Sequence, residues 1–126
     1  MIHKIVIPGS FASLNEFIDA NRTGRGKWSK GNSMKQKDQE RLLYEIRKQL
    51  RGRKIIAPVF LRYQYFEKNR RRDLDNISGY FHKIFQDALV AGHVLPNDNW
   101  NYIVGFSDDF FVDGKNPRIE VQIIEG

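Results

Sequence analysis

The apolar pattern changes period across one charged octapeptide, and that change limits what the chain can fold into. Residues 57–67, "APVFLRYQYFE", are aromatic and β-branched, which predicts a strand ending just before the arginines of "NRRRDLDN" at 69–76. After them "ISGYFHKIFQDALVAG" carries Ile77, Phe81, Ile84, Phe85 and Ala88 at helical spacing, with Gly92 placed to follow its last turn. An amphipathic helix directly after a strand calls for helix packed on sheet.

The rest of the chain extends the same theme. "HKIVI" at 3–7 reads as a strand closed by Pro8-Gly9. "SLNEFIDANR" begins a short helix, Ser13 being the N-cap and Glu16 its capping-box partner. The segment 23–33, "TGRGKWSKGNS", has the composition of a basic loop. In 34–50 Leu42, Leu43, Ile46 and Leu50 mark one buried helix face. "NYIVGFSDDFF" and "PRIEVQIIE" complete the chain as two strands joined through Asp113-Gly114. The expected order is β-α-α-β-α-β-β: an α+β single domain over residues 1–126, one mixed β-sheet with helices packed on it.

Charge narrows the function classes. Net charge is +6, and from Arg22 to Lys54 twelve Lys or Arg face three acids, whereas the stretch after Ser107 leans acidic. A basic surface favours polyanions, because Lys and Arg release the counterions condensed on phosphates. Cysteine is absent, which excludes disulfides, thiolate zinc sites and a cysteine nucleophile. No apolar run approaches the about 20 residues that span a bilayer, and the start lacks a signal-peptide pattern. A soluble intracellular protein is expected, with neither a membrane partner nor an organic cofactor.

The arginine run abuts "DLDN". On a continued strand Asp73 and Asp75 share one side with Leu74 turned to the core, and two adjacent carboxylates call for a cation. Oxygen donors favour Mg²⁺ or Mn²⁺ over zinc. Such ions position a water and stabilise the leaving oxygen of a phosphodiester. Asp98, in "VLPNDNW" beyond the helix, is the candidate third ligand. The plain alternatives are N-capping for "DLDN" and a simple turn for "PNDN".

The stretch "RRRDLDN…KIFQDALVAGHVLPNDNW", together with "NYIVGF", "NPRIEV", "LNEFIDANR" and "GNSMKQK", resembles the RusA family of Holliday junction resolvases. The resemblance implies a small homodimeric endonuclease that binds branched DNA and cuts four-way junctions with Mg²⁺, in the cytoplasm of a bacterial or phage-infected cell. It matches Asp73 and Asp75 to the D-x-D ligands and Asp98 to the third catalytic aspartate. The acidic neighbour usual beside that third position is here Asn97. The family lysine one helical turn after the second aspartate is replaced by Gly79, and counting back from Asp87-Ala88-Leu89 gives Lys83 instead. An unbroken helix sets Lys83 about 12 Å along the axis from Asp75. A loop at "ISG", with the helix starting near Gly79, is therefore expected; a surface pair with Asp87 is the other reading of Lys83.

Lys27, Lys30, Lys35, Lys37, Arg70, Arg71 and Arg72 are the expected phosphate contacts. Trp28 is read as a loop anchor or a base-stacking group, and His3, His82 and His93 as structural or surface residues. A basic binding module without catalysis is the rival function.

Overall fold

The computed structural model describes residues 1–22 and 30–126. Its elements run in the expected order: β1 (Ile2–Pro8), α1 (Leu14–Asn21), α2 (Lys30–Leu50), β2 (Val59–Glu67), α3 (Leu74–Ala91), β3 (Ile103–Val112) and β4 (Arg118–Glu125). The strands form one mixed sheet of order β1-β4-β2-β3, antiparallel except for the β2–β3 pair, which is parallel. A parallel pair needs a crossover, and α3 supplies it.

Alternation along the strands builds the core. Ile5, Val121 and Tyr63 occupy one row across three strands, all fully buried. The helix stripe read from the sequence lands on this face: Phe81, Ile84, Phe85 and Ala88 are fully buried and Ile77 nearly so. Tyr63 meets Phe81 and Phe85 edge-on at centroid distances of 5.9 Å, within the range where aromatic quadrupoles attract. The opposite sheet face carries Lys4, Arg62, Gln64, Arg118 and Glu120.

Local signals explain the helix ends. Ser13 caps α1 in a full capping box with Glu16. The expected basic loop lies outside the described residues up to 29, and from Lys30 onward the chain is already helical. At the end of α3, Gly92 caps with an ordinary φ of −83°, and it is His93 that takes the left-handed conformation, with φ of 60°.

The two outer strands are treated differently. On β1, Gln49 of α2 hydrogen-bonds both the N–H and the C=O of Val6, at 2.8 and 2.7 Å, and Arg41 donates to the Pro8 carbonyl. These contacts occupy a sheet edge that would otherwise be open to pairing. On β3 the exposed side chains include Val104, Phe106, Phe111 and Val112.

Candidate active site

α3 corrects the expected break at "ISG". The helix is continuous from Leu74. Ser78 is accommodated by bonding its hydroxyl back to the Leu74 carbonyl at 3.2 Å. Gly79 lets α1 approach, since a Cβ there would stand 3.0 Å from Leu14 Cδ2. Lys83 consequently lies two turns beyond Asp75, is 65% exposed, and faces Asp87 at 3.8 Å. The surface reading of Lys83 describes its observed surroundings.

The start of α3 also changes the geometry of "DLDN". Asp73 is the extended N-cap residue, with φ of −68° and ψ of 151°, whereas Asp75 already belongs to the first helical turn. The two are not on one side of a strand. Asp73 makes no capping hydrogen bond. Both carboxylates lack a hydrogen-bond or ion-pair partner among the described residues, so neither is committed to holding the fold together.

Asp73 lines an open cleft of about 550 Å³ with Glu67, Arg70, Asp108 and Asp109 among its other walls. The cleft sits at the carboxyl ends of parallel strands β2 and β3, where open α/β sheets place their ligands. A second cleft of about 650 Å³ lies alongside and shares Glu67, Asn69 and Arg72 with the first; Arg71 lines it. The arginine run thus serves two clefts and the ridge between them.

Arg72 departs from its expected role. Its Nε and Nη2 donate to Glu67 Oε1 at 3.1 and 3.0 Å, and Nη1 donates to the Phe11 carbonyl at 2.8 Å. With Glu67 buried, Arg72 is a structural clamp between β2 and the segment before α1. Lys35 is likewise engaged, bonding Asp87 at 3.1 Å from α2. Of the expected phosphate contacts, Lys37, Arg70 and Arg71 are exposed to solvent. Lys27 and Trp28 lie outside the described residues, and Lys30 is described by its backbone alone.

Asp108 was not legible as a site residue. Its Oδ1 accepts from the Tyr65 hydroxyl at 3.0 Å and from His82 Nε2 at 2.7 Å. Burial, reinforced by the Asp108 charge, pushes the Tyr65 phenol far up, so it remains a donor. A register shift at Val59/Phe60 makes this possible, because Val59 pairs with Ile103 but Phe60 with Gly105. Skipping Val104 changes which face the rest of β3 presents and sets Asp108 beside Tyr63 on the helix side.

Asp98 lies elsewhere. The loop carrying it is tied to the start of β2 by Val59 N–H donating to the Tyr102 carbonyl at 2.8 Å, and Ile55 N–H reaches the Val94 carbonyl at 2.7 Å. Asp73 follows the other end of β2. The 18 residues of α3, about 27 Å long at 1.5 Å per residue, separate the two positions. One copy of the chain therefore brings Asp73 and Asp75 to the same end and keeps Asp98 at the other. Among the described residues, no three His, Asp or Glu side chains group to hold a metal. The donor type suits a hard cation; the donor number within one chain does not.

No helix among the described residues is long and apolar enough to cross a membrane. Compared with known families, residues 26–124 match the model of endodeoxyribonuclease RusA. None of the curated proteins matches the sequence.

Proposed function

Because the chain belongs to the RusA endodeoxyribonuclease family, we propose that it is a divalent-metal-dependent, structure-selective endonuclease that cuts four-way (Holliday) DNA junctions in recombination and repair. The observation that carries this reading is the uncommitted pair Asp73 and Asp75 at the positive end of α3, Asp73 lining a cleft together with Arg70. Arg70, Arg71 and Lys37 hold the sugar-phosphate strand, and Asp73 and Asp75 form part of a ligand set for Mg²⁺, with Mn²⁺ as a substitute. A bound cation of this kind supplies an activated water and neutralises charge at the phosphodiester.

The ligand set is completed by a second copy. About a two-fold axis, antiparallel approach of two β3 edges sets the Asp98 loop of one protomer against the cleft of the other. The exposed apolar side chains of β3 suit that contact, and β3 is the outer strand whose edge, among the described residues, no helix side chain bonds in the way Gln49 bonds β1. In that arrangement Asp73 and Asp75 of one protomer and Asp98 of the other would hold the cation. A two-fold dimer carries two such sites, matching paired cuts.

Asp75→Asn tests this. It keeps junction binding and loses Mg²⁺-dependent cleavage; undiminished cutting by the purified variant discards the assignment. The non-catalytic alternative draws on Lys83, engaged with Asp87, and on Asn97 beside Asp98. It predicts tight, salt-sensitive junction binding with no cleavage product from the unsubstituted protein.

A further inference from the structure

Trp100 is 92% exposed, the most exposed of the large apolar side chains among the described residues. It sits two residues from Asp98 on a loop built to hold it outward. Asn97 Oδ1 accepts from Asn99 N–H at 2.9 Å and Asn99 Oδ1 accepts from Asn101 N–H at 3.0 Å. The Asn99 carbonyl takes Tyr102 N–H at 3.0 Å and Ile103 N–H at 2.9 Å, and Tyr102 is in turn bonded to β2. Successive side-chain and backbone turns leave the loop little freedom, so the indole is presented on a fixed support.

Its surroundings favour a nucleobase over a protein core. The flanking side chains Asn97, Asp98, Asn99 and Asn101 are all exposed and polar, whereas the centre of a protein interface is depleted of charge and packed with apolar groups. An exposed indole flanked in sequence by polar side chains suits a flat partner that stays partly wet. The segment "RGRK" at 51–54 lies at the same end of the molecule, because Ile55 is bonded to Val94 just before the loop. Positive charge for phosphates and an aromatic face for bases are the two components of single-strand recognition.

We propose that Trp100 stacks on a base exposed at the crossover of branched DNA and so supplies preference for a junction over continuous duplex. The inference rests on the nuclease reading for its substrate, and it adds the group that senses unstacked bases. In a duplex every base face is already occupied by its neighbours, so the indole gains nothing there; at a crossover an unstacked base is available.

The experiment compares binding of a four-way junction and a matched linear duplex in EDTA, by anisotropy, for the parent, Trp100→Ala and Trp100→Phe. One base–aromatic stack contributes enough for Trp100→Ala to weaken junction binding by about fivefold or more. Duplex binding stays within about twofold, and Trp100→Phe retains most of the junction affinity. In a Trp28→Phe protein, Trp100 emission is quenched by a junction carrying 2-aminopurine at the crossover and not by the duplex. Unchanged junction affinity in Trp100→Ala overturns the proposal, and so does equal loss on both DNAs. Dissociation of the Trp100→Ala dimer in sedimentation also overturns it, by assigning the indole to a protein contact. These outcomes are independent of cleavage: continued cutting by Asp75→Asn removes the nuclease assignment and leaves the stacking result standing, whereas a dead Asp75→Asn beside an unaffected Trp100→Ala does the reverse.

Discussion

Mixing two inactive variants distinguishes a ligand set within one chain from one shared between two. α3 has 18 residues, so Asp75 and Asp98 of the same protomer stand at opposite ends of a rod about 27 Å long. Carboxylates sharing an ion must each come within about 2–2.5 Å of it. No side-chain rotation closes that gap. Asp75→Asn alone and Asp98→Asn alone each remove one ligand from both sites of a dimer, and both proteins are inactive. When the two are unfolded and refolded together at equal concentration, heterodimers form. In each heterodimer one site collects both substitutions, while the other joins an intact Asp73–Asp75 pair to an intact Asp98 of the partner subunit. Random pairing makes about half the dimers hybrids, so about a quarter of all sites recover, on the two-fold arrangement. The assay is cleavage of a labelled four-way junction with Mg²⁺: nicks appear on one strand, at roughly a quarter of the parent rate, without paired cuts. If the mixture stays as inactive as its components while exchange of tagged subunits is demonstrated, the shared site is wrong.

The arginine run divides into fold and function. Arg72→Ala leaves Glu67 buried without its partner; because Arg72 is 26% exposed, the cost is about 2–3 kcal/mol, below the 3–5 of a fully buried pair, and it is read in the urea midpoint. Arg70→Ala and Arg71→Ala leave that midpoint in place, weaken binding on all DNA sequences alike, and each flatten the salt dependence of log K by about 1. On the open sheet face, the Lys4 ammonium, with help from Arg118, holds the Glu120 carboxyl below its ordinary range. A lowered folded-state pKa gives stability that is present above the unfolded value, near pH 4, and is lost as pH falls through the folded one. The Tm deficit of Glu120→Gln relative to the parent is therefore largest near neutrality and shrinks in acid. Restoring a lysine one turn after Asp75 by Gly79→Lys destabilises the protein by about 1–3 kcal/mol through overpacking on Leu14, and Leu14→Ala in the same chain recovers part of the loss.

The element order, the α3 stripe and the Ser13 capping box were readable because each is written in local spacing. The misread features depend on contacts between segments distant in sequence. Gly79 looked like a helix breaker; its lack of a side chain is what α1 requires, and Leu14 is 65 positions away. Arg72 looked like one of three equivalent cations until Glu67 and the Phe11 carbonyl claimed it. Asp108 sits in a strand whose inward face is decided by a one-residue shift at Val104, and alternation cannot reveal such a shift. The "DLDN" reading failed on a single boundary, for the helix begins at Leu74, so Asp73 is extended and Asp75 helical. That boundary bears on function. A carboxylate at the N-cap and another in the first turn both stand at the positive end of the helix dipole, on backbone of two different conformations. On the proposed dimer, the helix that separates Asp98 from them in one protomer would fix, by its length, the distance that antiparallel approach of a second copy must span.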